Sequence, residues 1–482
     1  MPIPSLKVPT PKGYFPARAD SLAIAFALLA NAFVFATPTS HAADKTIHSF
    51  TKIQLTDQFW SEGIAIADIN RDGHVDVVSG PYWYEGPDFK KRHAFYPATQ
   101  TFQLTDHQGK RHIVPGFEGA LGKQNAYSDN FFEFTYDFNH DGWPDILIIG
   151  FPSKETSWYE NPGKKGLAAG TPWRRHVAFD VVNNESPTFG DLLGTGKPAL
   201  IFMTGGYVGY ATPDWNNPAK KWTFHAVSAQ GEVADDPYIH GLGYGDVNGD
   251  GRSDILGPDG WWEQPASLQG DPVWKFHTWS FLQPRPEAAK VPLPDKPTED
   301  EAAQREQYHQ WPYTLGGAQI YAYDVNGDGL PDIISSLNAH GYGLAWFEQL
   351  PTRDRSGEIR FKPHFILDAT PQLNKYGIQF SQLHAVALAD IDGDGLKDIV
   401  TGKRFWAHGP DGDPQPNAPA VLYWFKLVRN ADKSVEFIPY LIDRNSGVGE
   451  QVAVGDIAGH GLSDVAVANK NGAFFFLHTV SR

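Results

Sequence analysis

The chain reads as all-β, a seven-bladed β-propeller of four-stranded blades with calcium loops, closed by its own N-terminal strand. Three observations predict this. A nine-residue pattern, D-x-[DN]-x-D-G-x-x-D, occurs five times, and each copy runs directly into a short apolar segment. Two worn copies, starting at Asp191 and Asp456, fill the gaps, so that seven first aspartates lie 54 to 78 residues apart. A repeat of that period is the mark of an array or a propeller. Each unit also carries an aromatic strand and a further strand with a histidine or aromatic, which makes four strands per unit.

The five full loops are Asp68, Asn70, Asp72, Asp76; Asp137, Asn139, Asp141, Asp145; Asp246, Asn248, Asp250, Asp254; Asp324, Asn326, Asp328, Asp332; and Asp390, Asp392, Asp394, Asp398. Oxygens at positions 1, 3, 5 and 9, with a backbone carbonyl from position 7, suit a hard cation that wants six to eight oxygen ligands. The glycine at position 6 (Gly73, Gly142, Gly251, Gly329, Gly395) permits the sharp turn around an ion. An EF-hand would add a glutamate at position 12, where the first loop has Ser79. Here Val-Val, Ile-Leu-Ile-Ile, Ile-Leu, Ile-Ile and Ile-Val follow position 9, so these are calcium loops between strands, about five sites. The worn copies place Leu193 and Thr195, or Ala458 and His460, at ligand positions, and neither should hold calcium.

The third strand of each unit is expected at Tyr82-Trp83-Tyr84, Trp158-Tyr159, Trp261-Trp262, Trp346-Phe347 and Tyr423-Trp424-Phe425, with the tryptophans as packing core. The fourth follows at His93, His176, His225 and His277. The last unit ends without an outer strand, and Ile47 to Ile53 is an outer strand without a blade. Pairing the two would close the ring and remove an exposed edge. Two insertions interrupt the repeat. Residues 99–129 read as a glycine-bearing loop with His107, Arg111 and His112. Residues 281–315 read as a proline-rich stretch followed by an acidic helix from Thr298 to Gln310. Long insertions in a rigid repeat often build its binding face.

Forty-eight glycines and 37 prolines among 482 residues fit many short strands and turns. The formal charge of −16 argues against nucleic acid, and five divalent ions would offset about ten of those charges. The chain has no cysteine, which excludes thiol chemistry and disulfides. Residues 1–42 read as an export signal: Lys7, Lys12 and Arg18, then an apolar run from Ser21 to Ala36, then Ser40-His41-Ala42 before a cleavage point. The rival reading of that run is an uncleaved anchor, and no other stretch approaches membrane length. The propeller proper spans 45–482, and a periplasmic or extracellular monomer is expected.

Aligning the units on their first loop aspartate exposes an irregular position six residues earlier, occupied by Glu62, Phe131, Glu185, His240, Ala318, His384 and Glu450. First strands of propeller blades are innermost, so these residues should ring the central channel. Charged and imidazole groups on small or apolar strands are costly unless paired or bound to a metal. Imidazole with carboxylate suits zinc, manganese or iron rather than calcium. His340, Arg404 and His408, on loops after second strands, are candidate acid, base or substrate contacts.

The loops and the seven units resemble the FG-GAP/VCBS repeat family, which includes the integrin α-chain propeller and many exported bacterial proteins. The resemblance implies fold and calcium, and its members mix adhesion modules, lectins and enzymes. The Gly80-Pro81-Tyr82-Trp83-Tyr84-Glu85 run and the insertions are also similar to the propeller domain of aldos-2-ulose dehydratases, which act on keto sugars. That family carries further domains after its propeller, absent here, and no catalytic residue is carried over from it. A metal in the ring would polarise a sugar carbonyl while a histidine or glutamate moves the proton, which is the chemistry of a metal-assisted lyase or dehydratase on keto sugars. The alternatives are a non-catalytic module that binds glycans or a protein, and a scaffold for a separately encoded enzyme.

Overall fold

The computed structural model describes residues 46–98, 101–105, 111–115, 127–282, 316–409 and 412–481. The expected leader, most of both insertions and the acidic stretch from Thr298 to Gln310 lie outside the described residues. Every full loop runs into a strand: Asp76–Ser79, Asp145–Ile149, Asp254–Gly257, Asp332–Ser336 and Asp398–Gly402, and so does the worn loop before Asp464–Asn469. All residues of these strands are buried. Burial on both faces is why the sequence shows continuous apolar runs here rather than alternation.

The aspartate at position 9 begins each of these strands and is itself fully buried. One oxygen of Asp76 accepts the Ile69 N–H at 2.8 Å and the other accepts the Gly86 N–H at 2.8 Å. Asp145, Asp254, Asp332, Asp398 and Asp464 repeat the arrangement with Phe138 and Asn161, Val247 and Gln264, Val325 and Gln349, Ile391 and Leu427, and Ile457 and His478. Each carboxylate therefore ties its loop to the third strand or to the chain just beyond it.

The strands assemble into antiparallel four-stranded meanders, a propeller-like arrangement. Five stand as separate sheets: 65–94, 132–182, 188–226, 386–443, and 452–481 together with the N-terminal strand Ile47–Thr56. The expectation of seven separate blades is not what is seen. The strands of 242–278 and 319–367 form one eight-stranded sheet, joined by parallel pairing of Leu242, Gly243 and Tyr244 with Gln319, Ile320 and Tyr321. Gly243 is the cause: a Cβ built there would lie 1.7 Å from the Ile320 carbonyl oxygen, so only glycine lets the two first strands meet. A second departure lies in the 99–129 insertion, read as a loop. Thr101–Thr105 and Arg111–Pro115 pair antiparallel. Thr101-Phe102-Gln103-Leu104-Thr105 alternates polar and apolar residues, and Ile113 and Val114 favour the extended backbone.

Apolar clusters fill the space between successive sheets, for example Ile146, Ile148 and Trp173 against Val78, Trp83 and Phe95, or Ala466, Ala468 and Phe475 against Ile64, Val77 and Tyr84. The third-strand tryptophans belong to this packing. Trp83, Trp158, Trp261 and Trp346 stack on His93, His176, His277 and His364 with centroids 4.0 to 4.3 Å apart. Each of those histidines is held at 2.7 to 2.8 Å by a glutamate two residues after the tryptophan: Glu85, Glu160, Glu263 and Glu348. The Trp-x-Glu motif is thus a device for fixing the fourth strand.

Two glutamines stitch the first strands together. Gln319 donates to the Glu450 carbonyl and accepts the Val386 N–H, while Gln451 accepts the Ile64 and Glu133 N–H groups and donates to the Glu133 carbonyl. Beside them lies a cavity of about 240 Å³ lined by Phe132, Phe134, Phe189, Tyr244 and Tyr321. Among the described residues, no helix is long and apolar enough to cross a membrane.

The N-terminal strand pairs antiparallel with 473–481, and His48 Nδ1 meets His478 Nε2 at 2.9 Å. Burial, and then the neighbouring His48, pushes the His478 imidazole down to about 4. The unfolded chain takes up this proton near the ordinary imidazole value of 6.5 and the folded chain near 4, so stability is lost as pH falls through that window. Hydrogen exchange, corrected for intrinsic rates, should show the amides of 47–56 less protected near pH 4 than at neutral pH. His478→Gln should flatten that dependence.

Candidate active site

The ring position that the sequence singles out lies just ahead of the first strands, where main-chain bonds join neighbouring sheets. Glu62, Glu185 and Glu450 donate their N–H groups to the carbonyls of Asn130, Ile239 and Glu62. Glu62, His240, His384 and Glu450 are at most 1% exposed, and Glu185 is buried beside them. Phe131 and Ala318 complete the level with apolar surface.

The ring divides into two halves. In one, Arg404 reaches between Glu62 and Glu450. Its Nε and Nη2 lie 3.2 and 3.1 Å from the two Glu62 oxygens, and Nη1 contacts Glu450 Oε1. The guanidinium also rests 5.9 Å from the Phe131 ring centroid. Burial opposes its charge, but the surrounding carboxylates more than compensate and hold it firmly protonated. Glu62 and Glu450, read from sequence as partners of the histidines, are thereby tied to a cation, and Arg404 belongs to the buried centre rather than to a surface loop. Lys470 lies close by, its ammonium donating to the Trp406 and Ala407 carbonyls at 2.6 and 3.3 Å. Burial pushes that ammonium down to about 8.

In the other half three imidazoles converge. His240 Nε2 stands 2.9 Å from His340 Nε2 and 3.3 Å from Glu185 Oε2. His384 meets both rings edge-on, at 5.3 Å from His240 and 4.6 Å from His340. One nitrogen from each of the three lies within 4.8 Å of the others. Both ring nitrogens of His384 are buried without a hydrogen-bond partner, as are Nδ1 of His240 and Nδ1 of His340, the latter 3.2 Å from an Asp413 oxygen but outside hydrogen-bond geometry. Burial holds all three imidazoles in the neutral form, strongly so for His240 and His384. Burial likewise raises the Glu185 carboxyl to about 7, against the pull of Arg404. Neutral imidazoles with free lone pairs are the form that ligates a transition metal.

Local backbone geometry sets this arrangement. Gln382 adopts a left-handed φ of 63°, and its carbonyl accepts the N–H groups of both His384 and Arg404, so one strained residue sites a member of each half. Asn338 accepts the His340 N–H at 3.0 Å. His340, read as outlying, is thus a full member of the cluster. His408 is the outlying one, 47% exposed at the side chain, stacked on His340 at 4.5 Å and bound at Nδ1 by both oxygens of Asp413 at 3.0 Å. Sequence reasoning missed Asp413, Lys403 and Lys470. Asp413 sits in the stretch Gly412-Asp413-Pro414-Gln415-Pro416, which has no register with the repeat and gives no signal. Lys403 is fully buried, with its ammonium on Ser381 Oγ at 2.9 Å.

The acidic loops differ from one another. Lys426 places its ammonium against Asp392 and Asp394, 3.1 Å from the latter, and Arg252 contacts Asp250. Among the described residues, no basic side chain is ion-paired with the aspartates of the first, second or fourth loops. The all-oxygen donor sets of all five loops fit calcium, and burial pushes Asp76, Asp254, Asp332 and Asp398 up to about 7 and Asp145 to about 8, a cost that a divalent ion would relieve. The basic neighbours alone set the third and fifth loops apart.

A family model described as FG-GAP-like repeat matches residues 324–401, which contain the fourth and fifth full loops. The sheet topology defines an all-β, propeller-like chain, with FG-GAP-like repeat sequence in residues 324–401. No curated protein matches the chain. Among solved structures, an Agrocybe aegerita lectin described as recognising non-reducing terminal N-acetylglucosamine is 13% identical over 91% of this chain and 86% of its own, with a TM-score of 0.38. The exotype rhamnogalacturonan lyase YesX is 13% identical over 89% and 72%, at 0.37, and a Bacillus licheniformis rhamnogalacturonan lyase is 11% identical over 89% and 72%, at 0.35. These likenesses assign no activity to this chain.

Removing one partner of a buried ion pair strands the other charge, at a cost of about 3–5 kcal/mol. Arg404→Met should lower the urea midpoint accordingly, and adding Glu62→Gln and Glu450→Gln to it should recover a large part of the loss.

Proposed function

We propose that this is an exported, monomeric, calcium-binding propeller whose central pocket carries out metal-assisted elimination on a keto sugar or keto-glycoside. In this reading the eight-stranded sheet counts as two fused blades, giving seven, and the N-terminal strand closes the ring. The observation that carries the activity is His384: fully buried, with both ring nitrogens unpartnered beside His240 and His340. A buried polar side chain left unsatisfied costs about 1–3 kcal/mol, so a ligand is the economical explanation.

His240, His340 and His384 would hold one zinc, manganese or iron ion. When bound, such an ion polarises the sugar carbonyl and acidifies the adjacent C–H. Glu185, whose carboxyl sits at about 7, is the group to accept that proton. In this reading His408, at the exposed end, returns a proton to the departing oxygen. Arg404 with Glu62 and Glu450 forms the rigid wall of the pocket. The competing reading is a module that binds a glycan or a protein. The open groove of about 400 Å³ lined by Phe365, Leu373, Tyr376, Asp368 and Glu436 is the observation on its side.

Elemental analysis after a mild chelator wash, on wild type and on His240→Ala/His384→Ala, tests the central claim. About one transition-metal ion per chain, lost in the double variant, with ultraviolet-detected elimination from keto sugars, is expected. Calcium alone in both proteins would overturn the lyase reading and leave the binding module.

For the loops, equilibrium dialysis with calcium should give three tight sites, in the first, second and fourth loops, rather than five. Lys426→Ala should add a site at the fifth. Five equal sites in the wild type would contradict the difference in basic neighbours.

A further inference from the structure

The metal reading above leaves open what makes His340 a ligand. An imidazole offers an inward lone pair only if its proton is held on the other nitrogen, and a group outside the cluster must hold it there. In this chain that group is a carboxylate that the repeat pattern does not reveal. Asp413 lies on the loop between the strands Asp398–Gly402 and Leu422–Arg429. It adopts a left-handed φ of 57°, a conformation uncommon outside glycine, and its side chain is only 2% exposed. From there one oxygen stands 3.2 Å from His340 Nδ1, while both oxygens stand 3.0 Å from His408 Nδ1.

His340 is thus fixed on three sides. Asp413 faces Nδ1, the His408 ring stacks on its face with a 23° interplanar angle, and Asn338 holds its backbone N–H. The nitrogen left over, Nε2, points at His240 Nε2, 2.9 Å away. In the structure this is a hydrogen bond between the two rings. Tetrahedral ligands at about 2.0–2.1 Å from one ion lie about 3.3–3.4 Å apart, so an ion would replace that bond with a separation a few tenths of an ångström wider. The strained backbone of Asp413 sits where it is needed to aim the carboxylate inward, and Trp406 and Gln415 of the same loop share the left-handed conformation.

We propose that Asp413 is a positioning residue for a metal-binding His340: it keeps the proton on Nδ1, turns Nε2 to the cluster and supplies a negative charge behind the ion. In this role it acts through His340 and not as a ligand itself, although its carboxylate also lies within 4.8 Å of nitrogens of His340 and His408. The proposal rests on the transition-metal reading of the pocket. It differs from that reading by naming the residue outside the ligand set on which affinity and ligand geometry depend.

The test uses cobalt(II) as the probe on the full chain, with affinity from chelator competition and geometry from the visible absorption bands. Asp413→Asn keeps the shape and removes the charge. Loss of such a partner typically weakens metal binding about 10–100-fold. That loss, with shifted bands and an unchanged unfolding midpoint of the metal-free protein, is the expected result. Wild type and Asp413→Asn with equal affinity and equal bands would overturn the role of Asp413 while leaving the metal site standing. Wild type that takes up no cobalt would overturn both. Should Asp413→Asn fail to fold, ¹⁵N-histidine NMR of the zinc-loaded wild type decides instead. A His340 ring protonated at Nδ1 and ligated at Nε2 supports the proposal, and the reverse tautomer overturns it.

Discussion

A single buried carboxylate per repeat organises this molecule. Asp76, Asp145, Asp254, Asp332, Asp398 and Asp464 each begin a strand buried on both sides, and each spans from the acidic loop to the backbone at or beyond the third strand. A carboxylate in an apolar interior is expensive unless its oxygens are satisfied, and two charge-assisted backbone bonds do this. The register of three strands then follows from one side chain. The third sheet, with Ala199 at that position, lacks the device, and its neighbours on either side supply the packing surface. Because the carboxylate is engaged by amides, its structural role does not wait on an ion. The worn repeat ending in Asp464 keeps the same bonds although its loop has Ala458 and His460 at positions 3 and 5.

The level at which the first strands begin inherits this regularity, and there the molecule departs from it. Seven equivalent positions hold two apolar residues, three glutamates and two histidines. Their irregularity resolves into an ionic half around Arg404 and an imidazole half around His384. The two halves touch: ligand atoms of Glu185, His240 and Glu450 also lie within 4.8 Å of one another. An arginine between two carboxylates is a poor source of net stability but fixes geometry closely. An ion-paired group thus stands directly beside buried imidazoles with unpartnered nitrogens.

Much of this was legible in the sequence because it is periodic. The loops and the apolar strands after them recur at fixed offsets, and the structure forms a buried strand after each full loop, while the Trp-x-Glu strands recur at variable distance. What escaped is what breaks the period. Nothing in local pattern distinguishes Arg404 as the partner of Glu62, 342 residues away, or Asp413 as the partner of His340. Both come from loops of variable length whose path is set by tertiary packing. The pairing of Leu242–Gly245 with Gln319–Tyr323 was likewise hidden. A glycine in a strand signals close approach of some other backbone but does not say which.

That glycine seam reaches further than the count of sheets. Where two neighbouring meanders are zipped by main-chain hydrogen bonds through their first strands, the peptide that joins them in sequence no longer has to hold them in register. The longest interruption of the repeat, residues 281–315, falls between those two halves in sequence. The join there is chemically redundant, which makes it the place in the chain where evolution could insert, lengthen or exchange a segment at the least expense to the sheet, and where new chain ends would be tolerated best.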